Sequence, residues 1–222
     1  FEPANHQEAY DLTREAFDLS EKFGLPVMIR LATRLAHSRA PVEVREARKK
    51  NQQFEYGNGP DWTLLPANAC RRFQDLLQRQ KQLKNYAEEC PFNELSPADK
   101  GNRLGVVVSG LAFNYFREVY SRLSSRPAYL KISTYPFPEK KLLKLIEEVD
   151  EILVIEEGYP FMERFIRGVA GIPGKVIKGK MDETLPASGE LTPETVARAL
   201  GLPVKTGLKT DGFQLPGRPP QL

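Results

Sequence analysis

The chain has 222 residues, enough for one or two domains. Its 41% hydrophobic and 27% charged content is ordinary for a globular chain, and a net charge of +3 without a basic stripe argues against nucleic acid as a partner. No apolar run approaches the roughly 20 residues of a membrane helix, and two cysteines (Cys70, Cys90) with two histidines (His6, His37) make no zinc or iron–sulfur spacing, so two reduced thiols in a cytoplasmic protein are expected.

Phe1-Glu2-Pro3-Ala4 leads directly into the clearest helix of the sequence. Asn5 can cap it, with Glu8 at the capping-box position, and Ala9, Leu12, Ala16, Leu19 and Phe23 recur at three- and four-residue steps. Gly24 stops the helix and Pro26 prevents its resumption. Val27–Leu31 then reads as a strand of parallel-sheet type, followed by a polar exit loop, residues 32–38. One helix and one parallel strand have no sheet of their own to join, so this part reads as a piece of a larger fold.

Residues 41–65 read as an irregular connector with a turn cluster at Gly57-Asn58-Gly59-Pro60-Asp61. Its basic residues, Arg39 to Lys50, alternate with Glu43 and Glu46, as a solvated surface does. Leu65–Glu89 is a polar helix with a thin apolar stripe, Phe73, Leu76, Leu77, Leu83 and Tyr86, which predicts a surface helix leaning on something else. Cys90-Pro91 ends it.

A second unit starts near Ser96. Leu104–Ser109 is a continuous apolar run, expected for a strand buried on both faces. A helix with Leu111, Tyr115, Val119 and Leu123 follows, then a strand at Ala128–Ile132, a helix opened by Pro138, a strand at Glu151–Ile155, a helix from Phe161 and a short strand at Lys175–Ile177. This β-α-β-α-β-α-β order predicts an α/β fold with a parallel sheet and helices on both faces. Thr192-Pro193-Glu194 opens a last helix to Leu200, and residues 207–222 read as a linker.

The strand ends of this unit are its most site-like places: Ser109-Gly110, Thr134-Tyr135-Pro136 and Glu156-Glu157-Gly158. Adjacent Glu156 and Glu157 point apart on an extended chain, so capping of the next helix or contact with a partner is favoured over acid/base work. No dinucleotide or phosphate-loop glycine motif is present, and no nucleophile elbow. On the first strand's exit, Thr33, Arg34, His37 and Ser38 form a polar group in which Arg34 could fork onto a carboxylate or simply hold the loop or an interface.

Three runs carry a specific resemblance: residues 2–13 (Glu2-Pro3-Ala4-Asn5-His6-Gln7-Glu8 onward), Phe23-Gly24-Leu25-Pro26-Val27, and residues 30–38 (Arg30-Leu31-Ala32-Thr33-Arg34 onward). They resemble the thiamine-dependent 2-oxoacid:ferredoxin oxidoreductases, in particular the large (alpha) subunit of the indolepyruvate type. Leu65-Pro66-Ala67-Asn68-Ala69, residues 104–115, Tyr135-Pro136-Phe137-Pro138, Val154-Ile155-Glu156-Glu157, Leu191-Thr192-Pro193-Glu194 and Arg218-Pro219-Pro220 look similar to later parts of the same subunit.

The resemblance implies four segments: residues 1–45, the last helix and strand of a pyrimidine-binding domain; 46–98, a connector; 99–187, a transketolase C-terminal-like domain; and 188–222, a helix and linker toward a diphosphate-binding domain. The implied chemistry is oxidative decarboxylation of aryl 2-oxoacids on thiamine diphosphate, with coenzyme A taking the acyl group and 4Fe-4S clusters passing electrons to ferredoxin. It also implies Mg2+, a smaller beta subunit and the remaining domains of the same subunit as partners. The family's activating Glu would precede Phe1, and its cluster cysteines and Mg-diphosphate motif would follow Leu222. The expectation is therefore that this segment holds no catalytic residue and no metal, and alone neither binds thiamine diphosphate tightly nor turns over. Thr33, Arg34 and His37 match family positions near the end of the cofactor domain. Two other readings stay open: a stand-alone binding module of transketolase C-terminal type, and a small α/β enzyme working at the strand-end loops. The internal-segment reading also predicts that the helix face of Leu12, Ala16 and Leu19 is left uncovered.

Overall fold

A computed structural model describes residues 1–48, 63, 65–169, 174–180, 182–186 and 191–204. The sheet is built from the continuous apolar runs. β2 (Leu104–Ser109) lies at its centre and pairs in parallel with β3 (Ala128–Ile132) on one side and β4 (Glu151–Ile155) on the other. β5 (Val176–Lys178) extends the β4 edge in parallel, one residue later than the sequence pattern suggested. β1 (Glu94–Ser96) closes the other edge antiparallel to β3, giving the order β1-β3-β2-β4-β5. No sequence pattern announced β1, because three residues are too few to show a period.

Successive side chains alternate between the two faces. Val106, Val108, Leu153 and Ile155 face a core shared with α4 (Ala112–Tyr120) and α7 (Pro193–Ala199). Val107, Leu130, Ile132, Ile152 and Val154 face the core of α5 (Glu139–Glu148) and α6 (Phe161–Val169). Helices on both faces are the expected α/β architecture. Pro138 caps α5 rather than opening it, and since it offers no side-chain acceptor, Glu88 supplies the cap by accepting from Lys140 N at 2.6 Å and Lys141 N at 3.2 Å.

Glu88 lies on α3 (Pro66–Glu89), the predicted polar helix. It leans on its neighbours at its C-terminal half: Lys84 pairs with Glu139 at 2.8 Å, Tyr86 meets Phe23 edge-on at 6.4 Å, and Ala87 is fully buried. Phe73 and Leu77, nearer its start, stay exposed. Cys90, which caps it, is a buried free thiol. The Cys70 side chain, the turn cluster at 57–61 and the tail at 207–222 lie outside the described residues.

α1 (His6–Phe23) starts at Asn5, whose Oδ1 accepts from Glu8 N at 2.9 Å, and stops at Gly24, φ 58°, where the missing Cβ permits the left-handed cap. Three expectations for this part are corrected. First, Leu12, Ala16 and Leu19 are not uncovered: they are 0%, 9% and 6% exposed. The chain folds back so that Val27 and Ile29 share a groove with Ala16 and Phe17, while α3 covers the Phe23 end. Second, Val27–Leu31 is extended but joins no sheet. A strand needs a neighbouring ladder, and among the described residues its backbone meets only Phe1, whose N–H donates to Met28 O and whose O accepts from Arg30 N at 2.8 Å. Third, residues 33–37 are not loop but a short helix, α2 (Thr33–His37), pinned by buried Leu35.

Residues 41–48 run along the outer side of α1. Arg45 pairs with Asp11 at 2.8 Å, Arg48 pairs with Asp18, and Arg14 donates to Glu46 O at 2.9 Å. The exposed basic connector is thus stitched to the helix it crosses.

Candidate functional site

The C-terminal ends of β2, β3 and β4 bring Ser109, Gly110, Tyr135, Glu156 and Glu157 to one edge, as a parallel sheet requires. Between β2 and β4 the direction of winding reverses, and there an open α/β sheet has its crevice. The crevice is filled by the chain itself. Glu2 N donates to Ser133 O at 2.8 Å, which lays the N-terminal segment over the strand ends. Glu2, 9% exposed, receives Arg30 Nε at 2.7 Å on one oxygen and the Tyr135 hydroxyl at 3.2 Å on the other. Its Cβ lies 3.8 Å from where a Cβ on Gly110 (φ 53°) would stand, so the segment comes down onto a bare backbone.

Glu156 is 3% exposed and faces inward from the end of β4. Its two oxygens accept from Met162 N at 2.8 Å and Glu163 N at 3.0 Å, so it caps α6. Burial pushes its pKa above the ordinary carboxylate value, against the pull of those two N–H groups. Lys180, 7% exposed, returns from the loop after β5 to donate to Gly158 O, and burial lowers its pKa, against the attraction of Glu156 and Glu157. Burial, then the Glu2 carboxylate, pushes the Tyr135 phenol up, so it stays protonated and donating. Every oxygen of Glu2 and Glu156 has a donor, which makes this a satisfied structural network rather than a poised acid/base pair.

A second buried network lies beside it. Glu8, 5% exposed, accepts from Lys131 Nζ at 2.6 Å, Ser133 Oγ at 2.8 Å and Ala4 N at 2.6 Å. Asn93, 1% exposed, accepts from Ser133 N and Thr134 N and donates to Ala87 O, joining the end of α3 to the end of β3.

The other predicted group is not part of the crevice. Arg34 leaves α2, donates to the Tyr115 hydroxyl on α4 and to Leu191 O at 3.2 Å, and stands 5.3 Å over the Tyr115 ring. Thr33 and His37 are exposed. Ser38 Oγ donates to Leu35 O and lies 3.1 Å from His6 Nε2. Local sequence gave no signal for Glu2, Arg30, Lys131 or Lys180, and marked Glu8 only as a capping-box carboxylate, because the partners are far away in the chain: Arg30 lies 28 residues from Glu2, Tyr135 133, and Lys131 123 from Glu8.

The implied cofactors do not fit these residues. A diphosphate at the crevice would meet the carboxylate of Glu2 where it needs N–H donors and cations. Two cysteines in the sequence cannot supply the four thiolates of a 4Fe-4S cluster. Among the described residues no group of three or more His, Cys, Asp and Glu gathers as a metal site, and no helix is long and apolar enough to cross a membrane.

No protein-family model matches the sequence. Indolepyruvate oxidoreductase subunit IorA of Methanothermobacter marburgensis is 34% identical over 231 residues, covering 100% of this chain. The whole chain is related to a stretch of IorA. The IorA subunit of Archaeoglobus fulgidus is 31% identical over 206 residues, 90% of this chain. The chain spans 37% and 33% of the length of these two IorA relatives. A solved 2-oxoglutarate:ferredoxin oxidoreductase from Magnetococcus marinus aligns over 63% of this chain and 24% of its own at 16% identity and a TM-score of 0.47, too loose a likeness to argue from.

Proposed function

We propose that this chain is the part of a 2-oxoacid:ferredoxin oxidoreductase large subunit that joins its pyrimidine-binding domain to a transketolase C-terminal-like domain. The whole enzyme oxidatively decarboxylates aryl 2-oxoacids of the indolepyruvate type to acyl-CoA, with thiamine diphosphate, Mg2+ and 4Fe-4S clusters held by other parts of the assembly. A smaller beta subunit, coenzyme A and ferredoxin complete it. The observation that carries this reading is the similarity to IorA along the entire chain. Within it, residues 1–45 end the first domain, 46–98 connect, 99–187 form the second domain and 188–222 lead onward. The role of the segment itself is structural: its crevice is filled by Glu2 and its buried charges are paired.

The stand-alone module is favoured by one observation, the covered face of Leu12, Ala16 and Leu19, which shows a helix already packed within this chain. One experiment separates the two. The protein that carries this chain, purified with its partner subunit, is assayed for coenzyme A-dependent reduction of ferredoxin by indolepyruvate. Turnover supports the enzyme; a carrier protein that purifies without thiamine diphosphate or partner subunit and gives no turnover supports the module.

A further inference from the structure

α2 is only five residues long and has no side-chain cap at its N-terminus. Isolated helices shorter than about 12 residues are marginal in water, so the shape of α2 is imposed from outside. The imposing contacts come from the sheet unit. Arg34 of α2 reaches the hydroxyl of Tyr115 and the carbonyl of Leu191 and stands over the Tyr115 ring. Arg30, four residues earlier, ends on Glu2, which Tyr135 holds from the end of β3, and its guanidinium passes Gly158 at the end of β4. Between the two arginines Ala32 packs against the sheet core, and Leu35, next to Arg34, is 5% exposed. Thr33 and His37 face outward.

We infer that Arg30 and Arg34 are the two jaws of a clamp that fixes α2 on the sheet unit and sets the direction in which Thr33 and His37 are presented. Both arginines are positioning residues, and so is Tyr115. A guanidinium suits the task because its Nη1 donates to both the hydroxyl and the carbonyl while the plane of the group stands over the ring, whereas an ammonium sits on a shorter side chain and has no plane to place there. The arrangement also makes one mechanical unit of two places that are separate in sequence: α2, and the helix α4 that leaves the sheet-end crevice just after Gly110. A ligand or partner that displaces α2 must break the Arg34 contacts or carry α4 with it. The consequence for turnover rests on the oxidoreductase reading above; the clamp itself does not.

Hydrogen–deuterium exchange on the 222-residue chain tests it. Tyr115→Phe deletes one hydroxyl and keeps the ring, so amides 33–38 should exchange about 5-fold faster. Arg34→Gln removes a charge-assisted pair of hydrogen bonds and should accelerate them about tenfold or more. In both variants the amides of β2 and β3 should stay within about twofold of the wild type, which separates loss of the clamp from general loosening. Arg34→Lys should not restore protection, because the shorter side chain keeps the charge but loses the planar group over the Tyr115 ring. In the assembled enzyme, Tyr115→Phe should lower kcat about tenfold and leave KM for the 2-oxoacid within about twofold, as expected when positioning rather than binding is lost. Unchanged exchange at 33–38 or full rescue by Arg34→Lys would overturn the clamp, and an unchanged kcat in an active assembly would overturn its consequence for turnover. A wild-type assembly with no 2-oxoacid turnover would instead sink the oxidoreductase reading, and the exchange result would still decide the clamp.

Discussion

Glu8 shows how much one residue can hold. It stands on the first turn of α1, yet its carboxylate accepts from a lysine of β3, a serine just beyond that strand and the backbone of Ala4. Removing one partner of a buried ion pair leaves the other charge without compensation, at a cost of about 3–5 kcal/mol. Lys131→Met should therefore destabilise the chain by about that amount in urea unfolding, and adding Glu8→Gln should recover most of the loss, since the amide still accepts from Ala4 N; equal stability of the two variants would contradict the pairing. Glu156 makes a pH-dependent counterpart. Its folded-state pKa is raised above 4.5 by burial, so the folded chain keeps a proton that the unfolded chain has already lost. Stability contributed by this group is present below 4.5 and is lost as pH rises through the folded-state value. The stability of the wild type minus that of Glu156→Gln should then shrink as pH rises above 4.5, measured by urea unfolding at each pH; a difference that grows with pH would contradict it.

Elements come together closely where side chains are missing. Gly105 on β2 lies under α5, and a Cβ there would stand 3.0 Å from Val149 Cγ2 and 3.3 Å from Leu145 Cγ. Gly105→Ala should cost about 1–3 kcal/mol by overpacking, read as a lower Tm, and an unchanged or higher Tm would show that α5 gives way. The parallel sheet and its helices were legible in the sequence because runs such as Leu104–Ser109 and Glu151–Ile155 are apolar on both faces and punctuated by glycine and proline. The Asn5 and Gly24 ends of α1 were legible for the same local reason. Val27–Leu31 shows the limit: its apolar composition is that of a parallel-sheet strand, but strand pairing depends on a neighbour that no local pattern names. The crevice was half legible. Ser109, Tyr135 and Glu156 follow from the topology, whereas Glu2, Arg30 and Lys180 arrive from distant segments, and only the folded chain shows that they fill it.

At the scale of the whole molecule, residues 1–38 are fastened to the sheet by Glu8 on Lys131, Glu2 on Tyr135, and Arg34 on Tyr115 and Leu191. The first two end at or just beyond the C-terminal end of β3, so the edge at which such sheets bind ligands is here occupied by intrachain contacts, while the third ends on α4 and on the chain just before α7. The proposed role is that of a segment that positions the parts of an enzyme and performs no step of its own. The purified 222-residue chain, incubated with thiamine diphosphate, Mg2+, indolepyruvate, coenzyme A and ferredoxin, tests that claim most directly. The account predicts a folded chain that takes up no thiamine diphosphate and forms no acyl-CoA. Thiamine-dependent formation of acyl-CoA by this chain alone would contradict it.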